Sequence, residues 1–508
     1  MLKRENTSSF NLKKQEINIV WIKRDIRSQD HEPLAFAENE TIPYILIYLF
    51  EPTLMQHKAT SLRHLQFQYH SIKKMNIASK QTGKYITVFH ANAQVVFAFL
   101  NLTFDIKKIV SYQESGIKLT WDRDKWVANF CKTNDIAWIE FQKDGVIRGL
   151  KTRKDWDKRW FGTICGSIIQ NKISVNCLSI EHEYRLQENL LNELENYPTS
   201  YQPAGEQAAW QYLVSFVSGR GSTYHKHISK PSESRTSCGR LSPYLAWGNI
   251  SIRQVYQFIK NHESYRGAKF AYDGMLTRLR WHCHFIQKFE MECEYEYRCI
   301  NRGYESLEHA NNLALLGAWK AGKTGFPLVD ACMRCLLATG WINFRMRAML
   351  VSVLCHHFDI DWRMGVHHLS QLFLDYEPGI HYPQIQMQAG TTGINTVRMY
   401  NPLKQSLDHD TQGNFIKKWV PELLNLPSTL VHEPWKLSLL EQELYEIKIG
   451  TDYPLPAVVL EEAGREARDK IWGHRKNDEV KAESKRIVQK HTRNKKSPSK
   501  TTTQNTLF

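Results

Sequence analysis

The densest group of side chains able to do chemistry lies between residues 322 and 402. Within it, Trp341 and Arg347 stand at the start of an apolar series. Its spacing predicts a helix with one buried stripe, formed by Met346, Met349, Leu350, Val353 and Leu354. Arginine is seldom buried without a partner, so we expect Asp375 or Glu377 to pair with Arg347. The tract predicts a ligand-sized helical site built from aromatic rings and paired charges.

A second segment, residues 236–248, places small, hydroxylated and glycine residues directly ahead of an apolar helical pattern. Free amide groups at a helix start, the close approach that Gly239 allows and the guanidinium of Arg240 together suit a diphosphate. The alternative is a plain helix cap, because serine or threonine ahead of a helix commonly does no more than that.

Three histidines add titratable groups near these segments. His282 and His284 lie in the helical pattern of residues 275–289, and His381 follows the acidic residues. Histidine is the side chain most ready to move a proton near neutral pH. A lone helical histidine is nevertheless more often structural, so chemistry and packing are both open for each of them.

The chain has 508 residues, a formal net charge of +15 and an isoelectric point near 9.2. This length predicts two domains with tails. The positive charge favours a polyanionic partner, although part of it is concentrated near the C-terminus. Residues 481–508 lack apolar periodicity, and we predict a basic disordered tail there.

The ten cysteines occur without an apolar secretory signal, and no run of about 20 apolar residues is present. We therefore expect a cytoplasmic protein with reduced thiols that does not enter a membrane. Cys332 and Cys335 form a CxxC within an apolar helical pattern, which favours buried structural residues over a redox or metal pair. No metal site is predicted.

Hydrophobic patterning divides the rest of the chain. Between residues 17 and about 145, short β-branched runs alternate with helical patterns, which is typical of a parallel α/β sheet. Farther along, nearly every apolar pattern is helical. The predicted segments are an extension (1–16), an α/β domain (17–150), a connector (151–205), an all-α domain (206–450), a helical extension (451–480) and the tail.

In a doubly wound sheet, ligands collect at the carboxyl ends of the strands. Residues 23–27 and 113–116 follow predicted strands and are therefore candidate cleft loops. The ordinary dinucleotide fingerprint, GxGxxG, is not found.

Three motifs occur in a fixed order: GKTGFPLVDACMR from Gly322, TGWINFRMR from Thr339 and IDWR from Ile360. Together they resemble the flavin-binding domain of the DNA photolyase and cryptochrome family. The similarity extends upstream to RLSPYLAWGNISIRQVY (240–256) and VWIKRDIRSQD (20–30), so it covers nearly the whole chain. It implies a Rossmann-like α/β domain followed by a large all-α FAD-binding domain.

The resemblance implies that two groups of residues hold FAD. The first reads CGRLS where the family generally has TSRLS, and it comprises Tyr224, Ser237, Cys238, Gly239, Arg240, Leu241 and Ser242. The second carries an acidic loop by the flavin ring and ribityl chain, and it comprises Arg347, Asp375, Tyr376 and Glu377. His381 falls near the position opposite the flavin N5, which makes it a candidate catalytic residue.

The resemblance also implies contacts to DNA. Trp281 matches a tryptophan that stacks on an extruded base, a task that suits a flat aromatic face. Arg278 stands where enzymes for cyclobutane dimers carry a glutamate, and His282 replaces the arginine that follows. Phe344 occupies a position that is commonly Asn or His, and Gln405 matches a residue near DNA. The type of lesion is therefore open.

The family's chain of three tryptophans for flavin photoreduction is only partly present. Trp362 matches the middle member, while Ile385 stands at the innermost position. Electron hopping weakens with distance, so we expect a slower route or a diversion through Tyr382 or Trp341.

The resemblance implies light-driven repair of pyrimidine photoproducts in DNA, in which excited reduced FAD lends an electron to the lesion. The alternative is a cryptochrome-like blue-light receptor that binds FAD without repair, and Arg278, Phe344, His381 and Ile385 are grounds for it. A flavin-binding DNA-associated protein with neither activity is a third hypothesis. A folate or deazaflavin antenna in the N-terminal domain is possible on this resemblance, and we expect a monomer.

Overall fold

The computed structural model describes residues 14–78, 85–172 and 176–491. The N-terminal domain is built on a parallel sheet. Five strands lie in the order β3-β2-β1-β4-β5, and a short β6 pairs with β2. The strands are β1 (Glu16–Ile22), β2 (Tyr44–Leu49), β3 (Ile86–Phe89), β4 (Asp105–Tyr112), β5 (Ala137–Phe141) and β6 (Cys177–Leu178).

Strand β1 shows why the sheet forms. Its sequence EINIVWI is nearly continuously apolar, and residues 17–22 are all buried. Strands covered by helices on both faces have this pattern. The strand order reverses beside β1, with β2 and β4 as its neighbours, so a crevice opens at the carboxyl ends of β1 and β4.

Seven helices cover the sheet or belong to the connector: α1 (Glu32–Glu38), α2 (Pro52–Met55), α3 (Leu62–Ala78), α4 (Ala93–Thr103), α5 (Lys118–Thr133), α6 (Trp156–Ile164) and α7 (Glu188–Glu195).

The helical domain begins with α8 (Glu206–Ser215), α9 (Tyr224–His227), α10 (Ser234–Ser237), α11 (Ser242–Ala246), α12 (Ile252–Asn261) and α13 (Lys269–Met291). It continues with α14 (Leu313–Ala321), α15 (Pro327–Thr339), α16 (Phe344–Ser352), α17 (Trp362–Leu372), α18 (Pro378–Gln388), α19 (Pro402–His409), α20 (Asn414–Trp419) and α21 (Leu439–Leu444). Two helices follow, α22 (Leu460–His474) and α23 (Asp478–His491). The predicted fold class is confirmed.

Shorter helical segments connect these elements. Phe216–Arg220 and Val353–His357 are π-helical, and the latter continues α16 so that the predicted apolar series is buried throughout. The 3₁₀ turns are Glu263–Tyr265, Cys293–Glu296, Arg302–Tyr304, Pro421–Leu423 and Pro434–Lys436.

The C-terminal segment differs from its prediction, because helix α23 runs to residue 491 where disorder was expected from residue 481. Val480 and Ile487 bury one face of this helix, and Arg486 forms an ion pair with Glu292, with 2.6 Å between Nη1 and Oε1. Two apolar residues in a basic stretch were too weak a signal for a helix. The predicted tail beyond residue 491 lies outside the described residues, as does most of the predicted N-terminal extension.

All ten cysteines are free thiols, and Cys332 and Cys335 are buried. Within the described ranges, no helix has both the length and the apolar character that crossing a bilayer requires. The same residues contain no cluster of three or more His, Cys, Asp or Glu side chains arranged for a metal ion.

Candidate functional site

A cleft opens in the helical domain between α11, α13, α16 and α18. Its empty volume, including the opening to solvent, is about 1190 Å³. Fourteen of the predicted site residues line it: Tyr224, Cys238, Gly239, Arg240, Leu241, Ser242, Arg278, Trp281, His282, Trp341, Phe344, Arg347, Asp375 and Glu377. Segments far apart in the sequence are thus brought together around one cavity.

Arg347 and Asp375 form the predicted ion pair on one wall of the cleft. Nη1 and Nη2 of Arg347 each donate to one carboxylate oxygen of Asp375, at 2.9 Å. Burial raises the pKa of Asp375, but the charge of Arg347 and hydrogen bonds from Arg347 and Ser242 lower it below the ordinary value overall. Asp375 is therefore a carboxylate at neutral pH, with its charge held in a fixed place.

Ser242 extends this pair into a chain of contacts. Its hydroxyl bonds Asp375, and the indole Nε1 of Trp341 donates to Ser242 Oγ at 3.3 Å. The guanidinium of Arg240 lies 3.9 Å from the ring centroid of Trp341. Four predicted residues from three separate segments thus orient one another across the cleft.

Arg240 is a buried cation without a carboxylate partner among the described residues. Its Nη2 and Nε donate to Gln202 Oε1 at 2.8 and 3.1 Å, and its backbone has a φ of 56°. Burial, followed by repulsion from Arg235, lowers the pKa of Arg240 to about 10. A bound anionic group would offset this cost. The helix that follows, α11, has only five residues, so the predicted helix-start cradle reduces mainly to Arg240.

Arg278, Trp281 and Tyr224 occupy another wall. The Arg278 guanidinium lies 4.3 Å from the ring centroid of Trp281, one helical turn away on α13. No carboxylate lies within ion-pair distance of Arg278 in the described part of the chain, and its side chain hydrogen-bonds Tyr224. A planar cation and an indole ring are therefore presented together to the cavity.

Three cleft residues have a buried polar atom without a hydrogen-bond partner among the described residues. They are Oδ1 of Asn343, Oε1 of Gln384 and Nδ1 of His282. Buried polar groups in folded proteins are almost always hydrogen-bonded, and a missing partner points to a ligand or water. The two partnerless acceptor oxygens share the cleft with Arg240, a cation without an acidic partner among the described residues, and this set fits a ligand that has both N–H donors and phosphate, as FAD does.

Sequence reasoning missed Asn343 and Gln384 as site residues. Neither is charged, and neither stands in a pattern that separates it from an ordinary polar residue. The available signal was their place in the motifs WINFR and YPQIQ, next to residues that were selected.

Glu377 lines the cleft but does not pair with Arg347. Its Oε2 lies 3.7 Å from Nη1 of Arg24, in the loop after β1, and its Oε1 accepts from the amide of Gly379 at 3.4 Å to cap α18. Arg347 satisfies Asp375 with both terminal nitrogens, which leaves Glu377 to a cation of the N-terminal domain.

His381 and Tyr376 line a smaller neighbouring cavity instead of the main cleft. A ring nitrogen of His381, Nε2, lies 2.9 Å from the carbonyl oxygen of Val366, and burial lowers the pKa of His381 to about 4. The imidazole is therefore neutral at physiological pH, and its Nε2 donates to α17. This placement argues against the predicted catalytic role, although Arg347 and Asp375 border both cavities.

Three other predicted residues lie away from both cavities. Ser237 donates its hydroxyl to Glu233 of its own helical turn at 2.9 Å, because a serine in a helix readily bonds a preceding carbonyl. Trp362 is buried in the core of the helical domain. Gln405 lies on α19, where its Oε1 is 3.5 Å from Nη1 of Arg345.

The crevice at the carboxyl edge of the sheet is also present. It has an empty volume of about 790 Å³ and is lined by residues of the predicted loops, including Lys23, Arg24 and Glu114. Arg123 joins Glu51, Glu114 and Asp124 there at 2.7–2.9 Å, so this cation is already paired. The crevice therefore differs from the main cleft, where Arg240 and Arg278 have no acidic partner among the residues that the structure describes.

Two family models match the chain. Residues 18–157 match the model described as DNA photolyase, and residues 275–473 match the FAD binding domain of DNA photolyase.

Similar proteins are named either photo-lyase or cryptochrome. A deoxyribodipyrimidine photo-lyase of Alkalihalophilus pseudofirmus is 28% identical over 87% of this chain and 95% of that protein. A cryptochrome DASH of Synechocystis is 26% identical over 89% of this chain and 97% of its own length.

The fold is shared with solved structures. A Synechocystis cryptochrome, 22% identical, aligns with a TM-score of 0.81 over 89% of this chain and 99% of the other. A bacterial class III photolyase from Agrobacterium tumefaciens, 21% identical, aligns with a TM-score of 0.79 over 93% and 100%. The matched domains and the cleft agree, and this chain belongs to the DNA photolyase and cryptochrome family, with FAD as its cofactor.

Proposed function

We propose that the protein is a light-driven DNA photolyase that repairs UV-induced pyrimidine photoproducts. The observation that carries the proposal is the pairing of Trp281 and Arg278 on one wall of the cleft. The same cleft also holds the Arg347–Asp375 pair. One cavity thus offers a polar flavin side and an aromatic face for an extruded base.

Several residues of this chain would hold the cofactor. Arg240 would bind its phosphates, and the oxygens of Asn343 and Gln384 that lack a partner would accept from its N–H groups. Asp375 is held ionised in the cleft by Arg347. When bound, FAD supplies photoexcited electron donation, and the apolar walls keep water away from it.

The lesion side of the cleft is adapted to a flat, partly polar guest. Trp281 compensates for stacking that the base loses on leaving the duplex, which is worth about 1–3 kcal/mol per base. Arg278 donates hydrogen bonds to carbonyl oxygens of the base. Phe344 is 41% exposed beside this cavity and offers a second apolar contact. Surface Lys and Arg residues supply contacts to phosphate that carry no sequence information.

The test uses the full-length protein with FAD fully reduced. Oligonucleotides containing either a cyclobutane dimer or a (6-4) photoproduct are illuminated with blue light, and intact bases are measured by chromatography. We expect one lesion to decline in the light and neither in the dark. If both lesions persist under light with the flavin reduced, repair is not the function.

The second candidate function is a blue-light receptor without repair. The observation in its favour is Ile385, which lines the small cavity beside the cleft at the position where the resemblance calls for a tryptophan, while Trp362 lies outside both cavities. Such a receptor would still change its flavin absorbance under light. A light-driven spectral change with no loss of either lesion would favour it.

We also propose that the crevice beside β1 and β4 holds an antenna chromophore, a folate or a deazaflavin. Its walls include the aromatic rings of Trp21, Tyr48 and Phe50. Absorption by the purified protein beyond the flavin bands, lost in Trp21→Ala, would support this. Extraction of FAD alone would count against it.

A further inference from the structure

Arg24 connects the two domains next to Glu377, a residue of the flavin cleft. It follows β1 in the N-terminal domain, and its Nη2 donates to the carbonyl oxygen of Tyr376 at 2.5 Å. Its Nη1 lies 3.7 Å from Glu377 Oε2, and its guanidinium is 4.3 Å from the ring centroid of Trp247. Only 11% of the Arg24 side chain and 7% of Glu377 are exposed. The contact is therefore shielded from solvent, where a charge has its largest effect.

Glu377 is the residue through which Arg24 reaches the cofactor. It lines the flavin cleft, the small cavity of His381 and the space between the domains. Since Arg347 binds Asp375 with both terminal nitrogens, Arg24 is the Lys or Arg within ion-pair distance of Glu377 in the described part of the chain. Glu377 is held from one side by this cation and from the other by the amide of Gly379.

We infer that Arg24 is a positioning residue for the flavin: it pairs with the Glu377 carboxylate and fixes it, so that the N-terminal domain helps to set the flavin's reduction potential. A carboxylate beside the flavin disfavours the added electron, and it does so more strongly when no cation is paired with it. The inference rests on FAD binding and is independent of whether the protein repairs DNA.

The competing explanation is that Arg24 only clamps the two domains together. Arg63 on α3 provides a matched control, because it also crosses the interface. It donates to the carbonyl oxygens of Leu336, Leu337 and Leu372 at 2.7–3.3 Å, and it lines neither cavity of the flavin site. Loss of Arg63 removes interdomain hydrogen bonds without changing charge beside the flavin.

The experiment compares the holoprotein with five variants: Arg24→Met, Arg24→Lys, Glu377→Gln, the double variant Arg24→Met with Glu377→Gln, and Arg63→Met. The midpoint potential of bound FAD is measured by spectroelectrochemistry without DNA, and thermal unfolding is followed in parallel. The first readout reports charge at the flavin, and the second reports the domain interface.

We expect Arg24→Met to shift the potential to more negative values and Glu377→Gln to shift it to more positive values. Arg24→Lys should retain most of the wild-type potential, because it keeps the charge. If the residues act as a pair, the double variant will lie close to Glu377→Gln, and the two shifts will not add. Arg63→Met should lower the unfolding temperature and leave the potential unchanged.

A wild-type potential in Arg24→Met, with a loss of thermal stability like that of Arg63→Met, would overturn the inference and leave a plain domain clamp. Additive shifts in the double variant would also overturn it, because Arg24 would then act without Glu377. If Arg24→Met does not fold, Arg24→Gln in its place gives the same comparison with part of the hydrogen bonding retained. The absence of a shift in both Arg24→Gln and Glu377→Gln would then reject the proposal.

Discussion

The guanidinium of Arg347 and the carboxylate of Asp375 meet through two parallel hydrogen bonds, each 2.9 Å long. The side chain of Asp375 is 4% exposed, so the pair is closed to water on the acid's side. This geometry is strong because both partners are planar and both hydrogen bonds are charge-assisted. It also makes each partner depend on the other.

Replacing Arg347 alone should therefore harm the protein more than replacing both partners. Arg347→Met leaves Asp375 buried without a cation, and we expect a loss of up to about 3 kcal/mol in the free energy of unfolding together with loss of FAD. The double variant Arg347→Met with Asp375→Leu should regain much of the stability but still bind FAD poorly. Urea unfolding and flavin absorbance after gel filtration measure the two effects. Equal instability in both variants would contradict the pairing argument.

The pairing of Arg347 with an acid could be predicted from the sequence, because a buried arginine needs an acidic partner and two acids follow it in the chain. The contact of Ser237 could not be predicted, because only the structure reveals that its hydroxyl bonds the carbonyl of Glu233. Asn343 and Gln384 carry no charge and follow no periodicity, so sequence alone does not select them. The contact of Arg24 with Glu377 joins two domains, and local patterns hold no information about such contacts.

Some elements of the fold could likewise be predicted from the sequence, and others could not. The strands of the sheet and the helices of the second domain have strong periodic patterns, so their class was predictable. Helix α6 in the connector buries Trp156 and Trp160 against the helical domain, and α23 buries Val480 and Ile487. Their stability comes from packing against distant elements, which a single-sequence pattern does not reveal.

Arg240 is expected to contribute to FAD binding through its positive charge and through its planar guanidinium, which stacks on Trp341. Arg240→Lys keeps the charge but loses the stack on Trp341 and one of the hydrogen bonds to Gln202. We predict FAD affinity to fall by roughly 5- to 30-fold, the equivalent of about 1–2 kcal/mol for the stack. Fluorescence titration of the apoprotein with FAD measures it. Lys substitution at Arg334, whose Nη1 binds Glu422 at 2.8 Å outside the cleft, is the control and should leave FAD affinity unchanged.

Buried neutral histidines should make stability depend on pH below neutrality. Burial lowers the pKa values of His381, His356 and His357 to about 4, beneath the ordinary value near 6.5. Between these values the unfolded chain binds more protons than the folded one. The free energy of unfolding is therefore expected to fall as the pH drops from about 6.5 to 4, by up to about 1.4 kcal/mol per pH unit for each histidine.

His381→Asn tests how much His381 contributes to the pH dependence of the free energy of unfolding. The variant should lose about 1 kcal/mol at pH 7 with the bond to Val366, and its stability should depend less steeply on pH between 4 and 6.5. Urea unfolding at pH 7, 6 and 5 gives both quantities. His225→Asn, at an exposed position, is the control and should keep the wild-type slope. An unchanged slope in His381→Asn would mean that folding does not lower the pKa of His381.

Replacing Trp281 should affect binding of DNA without affecting binding of the flavin. It lines the cleft beside Arg278, whereas the chain of contacts from Arg240 to Asp375 runs through Trp341 and Ser242. Trp281→Ala should retain FAD and weaken binding of lesion-containing DNA by roughly 5- to 150-fold, as expected for about 1–3 kcal/mol of lost stacking.

Trp472→Ala, on α22 and 46% exposed, is the matched control for loss of an indole elsewhere. Affinity for undamaged duplex should be unchanged in both variants, because its phosphate contacts do not involve Trp281. A Trp281→Ala protein that binds damaged DNA like wild type would show that this face of the cleft does not receive the base.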